Sequence, residues 1–111
     1  MPPPINIAST SHFAKEIAAA RYDQLVVVNV HAKWCLSCIK ISKRIEADFR
    51  RRPNAALLRI DFDENKHLVR SLGVTSLPSF VLIKNNITFD TISTSFDKYE
   101  TKVLDKIDAL M

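Results

Sequence analysis

The sequence predicts an α/β fold in which a central mixed five-stranded sheet is flanked by about four helices. Three observations carry that prediction. The spacing of apolar residues alternates between the short period of strands and the 3.6-residue period of helices. The stretch "QLVVVNVHA" is apolar at consecutive positions, the mark of a central strand buried on both faces. Finally, Asn85-Asn86 separates two strand-like runs, and asparagine tolerates the positive φ of a tight hairpin turn.

Each element follows in order. Ile5 and Ile7 mark a short first strand, and "SHFAKEIAAARY" reads as a helix entered through Ser and Thr residues suited to an N-cap. The central strand "QLVVVNVHA" comes next. Beyond Cys35, Cys38, Ile41, Ile45 and Phe49 recur at spacings of three and four, with Lys40, Lys43, Arg44 and Glu46 on other faces, so an amphipathic helix runs to about Arg51. "NAALLRIDFDEN" reads as a strand and "KHLVRSL" as a short helix stopped by Gly73, the single glycine. "SFVLIK" and "ITFDTIS" form the hairpin, and Phe96, Tyr99, Val103, Ile107 and Leu110 outline a closing helix. The order is β-α-β-α-β-α-β-β-α. Helical crossovers predict parallel neighbours, and the Asn85-Asn86 link predicts an antiparallel pair at the end.

With 111 residues, the chain has the length of one domain, spanning 1–111. Apolar residues at 47% and charged residues at 25% match an ordinary soluble globular protein and exclude a disordered or fibrous one. The net charge of +4 gathers most densely in Arg50-Arg51-Arg52 ahead of Pro53. Those arginines are expected in the last turn of a helix, where cations meet the negative end of the dipole, and no nucleic-acid partner is expected. The opening "MPPPINIAST" lacks a charged segment followed by an apolar core, and Leu25 to Val28 falls far short of a membrane span. The expectation is a cytoplasmic protein with no membrane insertion, with a periplasmic or exported one as the alternative if a signal has been removed.

The stretch "KWCLSC" holds both cysteines, so an intrachain disulfide has one possible pairing, Cys35 to Cys38. Two cysteines three apart can close a disulfide, chelate a metal, or simply occupy adjacent helical turns. Their setting favours reactivity. Cys35 follows the buried strand and begins a helix, a corner where α/β folds place chemistry. Free N–H groups there favour thiolate, with pKa values of about 3.5–7.5 against roughly 8.5 for a free thiol. Cys38, one turn further in, is positioned to attack a mixed disulfide on Cys35. The metal alternative is short of ligands, since a closed zinc site wants four and the chain adds only scattered His12, His31 and His67.

Three segments together resemble the thioredoxin family: "VVVNVHAKWCLSC", "RIDFDEN" and "LGVTSLPSFVLIK". Pro78 lies 40 residues after Cys38, which fits that family without a large insertion. The resemblance covers nearly the whole chain and implies a thioredoxin fold. It also implies that Cys35 attacks, Cys38 resolves, and Trp34 flanks the pair. Pro78 is implied to be cis, leaving a backbone group of Leu77 open to a substrate strand. The implied activity is thiol–disulfide exchange with protein disulfides, most simply as a reductase. It requires no bound cofactor or metal, acts as a monomer, and draws electrons from a donor such as a thioredoxin reductase or a membrane electron relay.

Departures from the family pattern define modulating positions. Leu36-Ser37 replaces the usual Gly-Pro between the cysteines, which bears on redox poise. Asn29 stands where a buried aspartate is expected, and Arg59 keeps the basic type expected opposite it. Asparagine cannot accept and return a proton as a carboxylate does. His31 replaces an aromatic residue and is read first as a partly buried filler, second as a pH-sensitive neighbour or third metal ligand. Ser93 lies where the family often has glycine. The competing readings are a metal-binding CxxC module and a thioredoxin-shaped scaffold or redox-linked chaperone with little catalysis.

Overall fold

A computed structural model describes residues 4–111. Its five strands are β1 (Ile5–Asn6), β2 (Leu25–His31), β3 (Ala56–Asp61), β4 (Ser79–Lys84) and β5 (Ile87–Ser93). The helices are α1 (Thr10–Ala19), α2 (Leu36–Phe49), α3 (Lys66–Ser71) and α4 (Asp105–Leu110). The strands form one mixed sheet in the order β1-β3-β2-β4-β5, with β2 at its centre.

Alternation along β2 divides the core in two. Leu25 and Val27 face α2 and the closing helix together with Ile41, Ile45, Leu57, Phe80 and Tyr99. Val26, Val28 and Val30 face the opposite layer with Leu58, Ile60, Leu68 and Val81, against which Phe13 and Ile17 of α1 pack. Because both faces are covered, β2 is apolar at every position but Asn29 and His31. Each such Val or Leu contributes about 1.5–3 kcal/mol relative to leaving it exposed.

Local signals start and stop the elements as expected. Ser9 caps α1, its Oγ accepting from the His12 N–H at 3.1 Å. Asn85 and Asn86 adopt φ of 53° and 61° between β4 and β5, and Asn85 Oδ1 accepts from the Asp23 N–H at 2.7 Å. That bond anchors the hairpin tip to the turn before β2.

Three expectations are corrected. The helical link from β3 through α3 leads to a strand that runs antiparallel to β2, with Ser79 opposite Val30. The reason is length. Six-residue α3 spans about 9 Å, whereas six-residue β3 spans about 20 Å. After Gly73 turns at φ 78°, the chain re-enters the sheet at the end where β3 leaves it. The arginine run lies past α2, with Arg50 as its C-cap. Arg51 continues as a turn that Arg52 leaves, and Arg52 Nη2 donates to Asp108 Oδ1 at 2.6 Å. Arg52 Nη1 also donates to the Asp48 carbonyl in the last turn of α2 at 3.0 Å, so a cation does meet that helix end as expected.

The closing helix is also irregular. It starts as a 3₁₀ turn at Phe96–Lys98 and passes through a π-helical turn at Glu100–Leu104 before α4. Tyr99, Val103, Leu104 and Ile107 are all buried along it, so packing against the sheet prevails over regular helical geometry.

Candidate functional site

The end of β2 delivers the chain to the cysteines. Cys35 is the N-cap of α2, and its Sγ accepts from the Cys38 N–H at 3.2 Å. The two cysteines form a disulfide across a Cα–Cα distance of 5.2 Å. Cys35 is partly exposed, whereas Cys38 is 1% exposed. Cys35 is therefore the member of the pair that solvent reaches, and Cys38 is buried. A thiolate on Cys35 would lie at the positive end of α2, against an N–H that already points at it.

The surface around the pair is apolar. Trp34 and Leu36 are among the most exposed large hydrophobic side chains, and Ile39 is exposed beside them. Trp34 is oriented by its Nε1–H, which donates to Asp63 Oδ2 at 2.8 Å. Leu77 is half-buried and Pro78 is buried, and the peptide between them is cis. Trp34, Phe62, Val69, Val74, Thr75 and Leu77 line a cavity of about 400 Å³. A cavity walled by these side chains suits an apolar segment of a partner chain.

A polar cluster lies beneath the disulfide, between the sheet and α2. In the register of β2 and β3, Asn29 sits opposite Arg59 and His31 opposite Asp61. Asn29 is 1% exposed; its Oδ1 accepts from Arg59 Nε at 3.5 Å. Arg59 also donates to Ser42 Oγ and, through Nη1, to Glu46 Oε1. Ser42 Oγ in turn donates to the Cys38 carbonyl at 2.8 Å. The guanidinium thus reaches the backbone of Cys38 through one hydroxyl. Burial, then the Arg59 cation, lowers the pKa of the His31 imidazole below its usual value, against the opposing pull of Asp61. Burial likewise lowers the pKa of Arg59, with Glu46 opposing.

Comparison with known proteins agrees with this geometry. A family model described as Thioredoxin matches residues 4–109. The chain belongs to the thioredoxin family. It is 28% identical to Thioredoxin-1 of Drosophila yakuba over 103 residues, covering 92% of this chain and 95% of that one. It is 33% identical to Thioredoxin-like 2-2, chloroplastic, of Arabidopsis thaliana over 76 residues, or 68% of this chain. That alignment spans only 32% of the Arabidopsis protein. The structure of Fasciola hepatica thioredoxin superposes with a TM-score of 0.88 at 28% identity, covering 96% of this chain and 99% of that one.

In this thioredoxin-family chain the sequence-derived positions fall into two groups. Trp34, Cys35, Leu36 and Ser37 line up at the start of α2, and Leu77 and Trp34 share the apolar cavity. Asn29, His31 and Arg59 lie below, on the α2 side of the sheet. Ser93 is exposed at the end of β5, its hydroxyl hydrogen-bonded to that of Ser76. Sequence reasoning missed Ser42, Asp63 and Glu46. Ser42 had a legible signal, since it follows Cys38 by four positions and shares its helix face. Asp63 had none, because its bond to Trp34 joins residues 29 apart. Among the described residues, no group of three His, Cys, Asp or Glu side chains is placed to hold a metal ion. No helix among them is long and apolar enough to cross a membrane.

Proposed function

We propose that this chain is a thiol–disulfide oxidoreductase that reduces disulfides of other proteins, with residues 1–111 working as one monomeric domain. The observation that carries this reading is the asymmetry of the disulfide: a reachable Cys35 at a helix N-cap and a screened Cys38 one turn away. The Cys35 thiolate attacks a client disulfide, and one client sulfur leaves as a thiol after taking up a proton. Cys38 then attacks the mixed disulfide, closes Cys35–Cys38 and releases the second client thiol. The client gains two electrons, and a separate dithiol or flavin donor, soluble or membrane-linked, restores the pair. Trp34, Leu77 and Pro78 receive the client segment, while Leu36 and Ser37 tune the potential. Such a reductase suits a reducing compartment such as the cytoplasm.

Equilibration in thiol buffers, followed through the fluorescence of Trp34, tests the direction of exchange. Trp34 is the single tryptophan and adjoins Cys35. The expected potential is near about −270 mV, whereas roughly −180 to −120 mV would replace the reductase reading with an isomerase or oxidase.

Asn29 gives a second prediction. A carboxylate there would accept the proton that Cys38 must lose, and Arg59, which already donates to the side chain at position 29, would balance the carboxylate's charge until that transfer. Asn29→Asp is expected to speed resolution of mixed disulfides at least about tenfold, a fraction of the 10²–10⁴ that positioned acid–base groups supply in full. Rapid-quench trapping of the mixed disulfide measures the step, and an unchanged rate rejects this role for position 29.

A further inference from the structure

If Cys38 resolves mixed disulfides, its thiol must lose a proton within a buried setting, where the buried polar side chain that β2 supplies is the amide Asn29. The Asn29 amide is no acceptor for that proton: its Oδ1 faces Arg59, and its buried Nδ2, without a hydrogen-bond partner among the described residues, is a donor. A cavity of about 290 Å³ opens beside Cys38, lined by His31, Lys33, Cys38, Ser42, Lys43 and Arg59 among others. It has room for water, which needs only about 10–15 Å³ of such volume.

Most groups around that space cannot accept a proton from Cys38. Lys33 and Lys43 are exposed ammonium donors and Arg59 is a guanidinium, none of them with a lone pair to accept a proton. Ser42 Oγ is committed to the Cys38 carbonyl and receives from Arg59. Glu46 lies on the far side of Arg59 and accepts from it. Asp61, opposite His31 in the strand register, does not line the cavity, and its Oδ1 accepts the N–H groups of Asp63 and Glu64 at 2.9 and 3.4 Å. The one lining side chain able to exchange a proton near neutrality is the His31 imidazole.

We propose that His31 accepts the Cys38 proton, through water in the cavity they share, as Cys38 resolves a mixed disulfide held on Cys35. This rests on the exchange function proposed above. The proton passes from Cys38 Sγ to an imidazole nitrogen. The resulting thiolate bonds to Cys35 Sγ, the bond from Cys35 to the client sulfur breaks, and the departing client thiolate takes up a proton returned through solvent. Burial and the neighbouring Arg59 keep the imidazole unprotonated, and so able to accept, at neutral pH. The position read from sequence as a filler becomes the acid–base group of the second step.

Stopped-flow reaction of the reduced protein with an aromatic disulfide dye separates the two steps. Attack by Cys35 releases one chromophore at a rate set by dye concentration, and resolution by Cys38 releases the second at a rate independent of it. The parent's second phase is expected to rise with pH and level off below the ordinary histidine range. In His31→Gln the second phase is expected to slow about a hundredfold relative to the first at pH 7, and to climb with pH into the thiol range. Adding Asn29→Asp to His31→Gln should restore a fast second phase. An unaltered rate and pH profile in His31→Gln overturns the proposal. If that variant does not fold, the parent profile decides, and a rate climbing steadily to the thiol range overturns it. Release of one chromophore without closure of Cys35–Cys38 would instead remove the exchange reading itself.

Discussion

Cys35→Ser is expected to abolish disulfide reduction, lowering turnover of an aromatic disulfide by at least about a thousandfold, as loss of a covalent nucleophile does. Cys38 cannot substitute, because it is 1% exposed and a client sulfur has no approach to it. Cys38→Ser should behave differently. Cys35 keeps its place at the N-cap and still forms the first bond, but a serine hydroxyl is not ionised near neutrality and cannot resolve it. The mixed disulfide should therefore accumulate and be recovered, at one client per chain, by mass spectrometry without reductant. The two variants separate a nucleophile from its resolving partner, a distinction that exposure draws and residue type does not. Parental turnover in Cys35→Ser would remove the redox reading. A metal-binding role for CxxC predicts no covalent adduct in either variant.

The fold was legible where local chemistry decides it. The unbroken apolar run of β2 announced a strand covered on both faces, and Asn85-Asn86 announced the hairpin, both of which the structure contains. The direction of β4 was not legible, because it depends on how far α3 and its loop carry the chain, and only three-dimensional geometry compares that distance with the length of β3. The site divides in the same way. Cys35 and Cys38 announce themselves by spacing only together with their place between a buried strand and a helix, and Leu77-Pro78 through its family context. The environment beneath them is assembled from β2, β3 and α2. That Asn29, Arg59 and Ser42 converge under Cys38 follows from strand register and helix phase together. His31 shows the limit most clearly, since its meaning depends on the cavity it shares with Cys38.

Tyr99 carries the largest expected effect on stability. It is fully buried at the foot of the closing helix, its ring 5.8 Å from that of Phe80. Its hydroxyl donates to Asp48 Oδ2 at 3.0 Å, joining this segment to α2. Arg44 also approaches Asp48 Oδ2, at 3.4 Å, so the buried carboxylate keeps one cationic partner if the phenol is lost. Tyr99→Phe, which removes only the hydroxyl, should therefore cost about 1–3 kcal/mol. Tyr99→Ala, which also opens a cavity against Phe80, should cost about 3–5 kcal/mol. Urea denaturation measures both, and a loss below about 1 kcal/mol in the alanine variant would show that the closing helix does not depend on this contact. The pH dependence has a definite sign. Burial, followed by the charge and hydrogen bond of Asp48, raises the Tyr99 pKa well above its usual value of 10.0. Below pH 10 this group contributes its full share of stability. As pH rises above 10 the unfolded chain releases the phenolic proton while the folded chain retains it, and stability falls. Tyr99→Phe should be less stable at neutral pH but should lack that part of the alkaline decline, so the two stability curves converge as pH rises above 10.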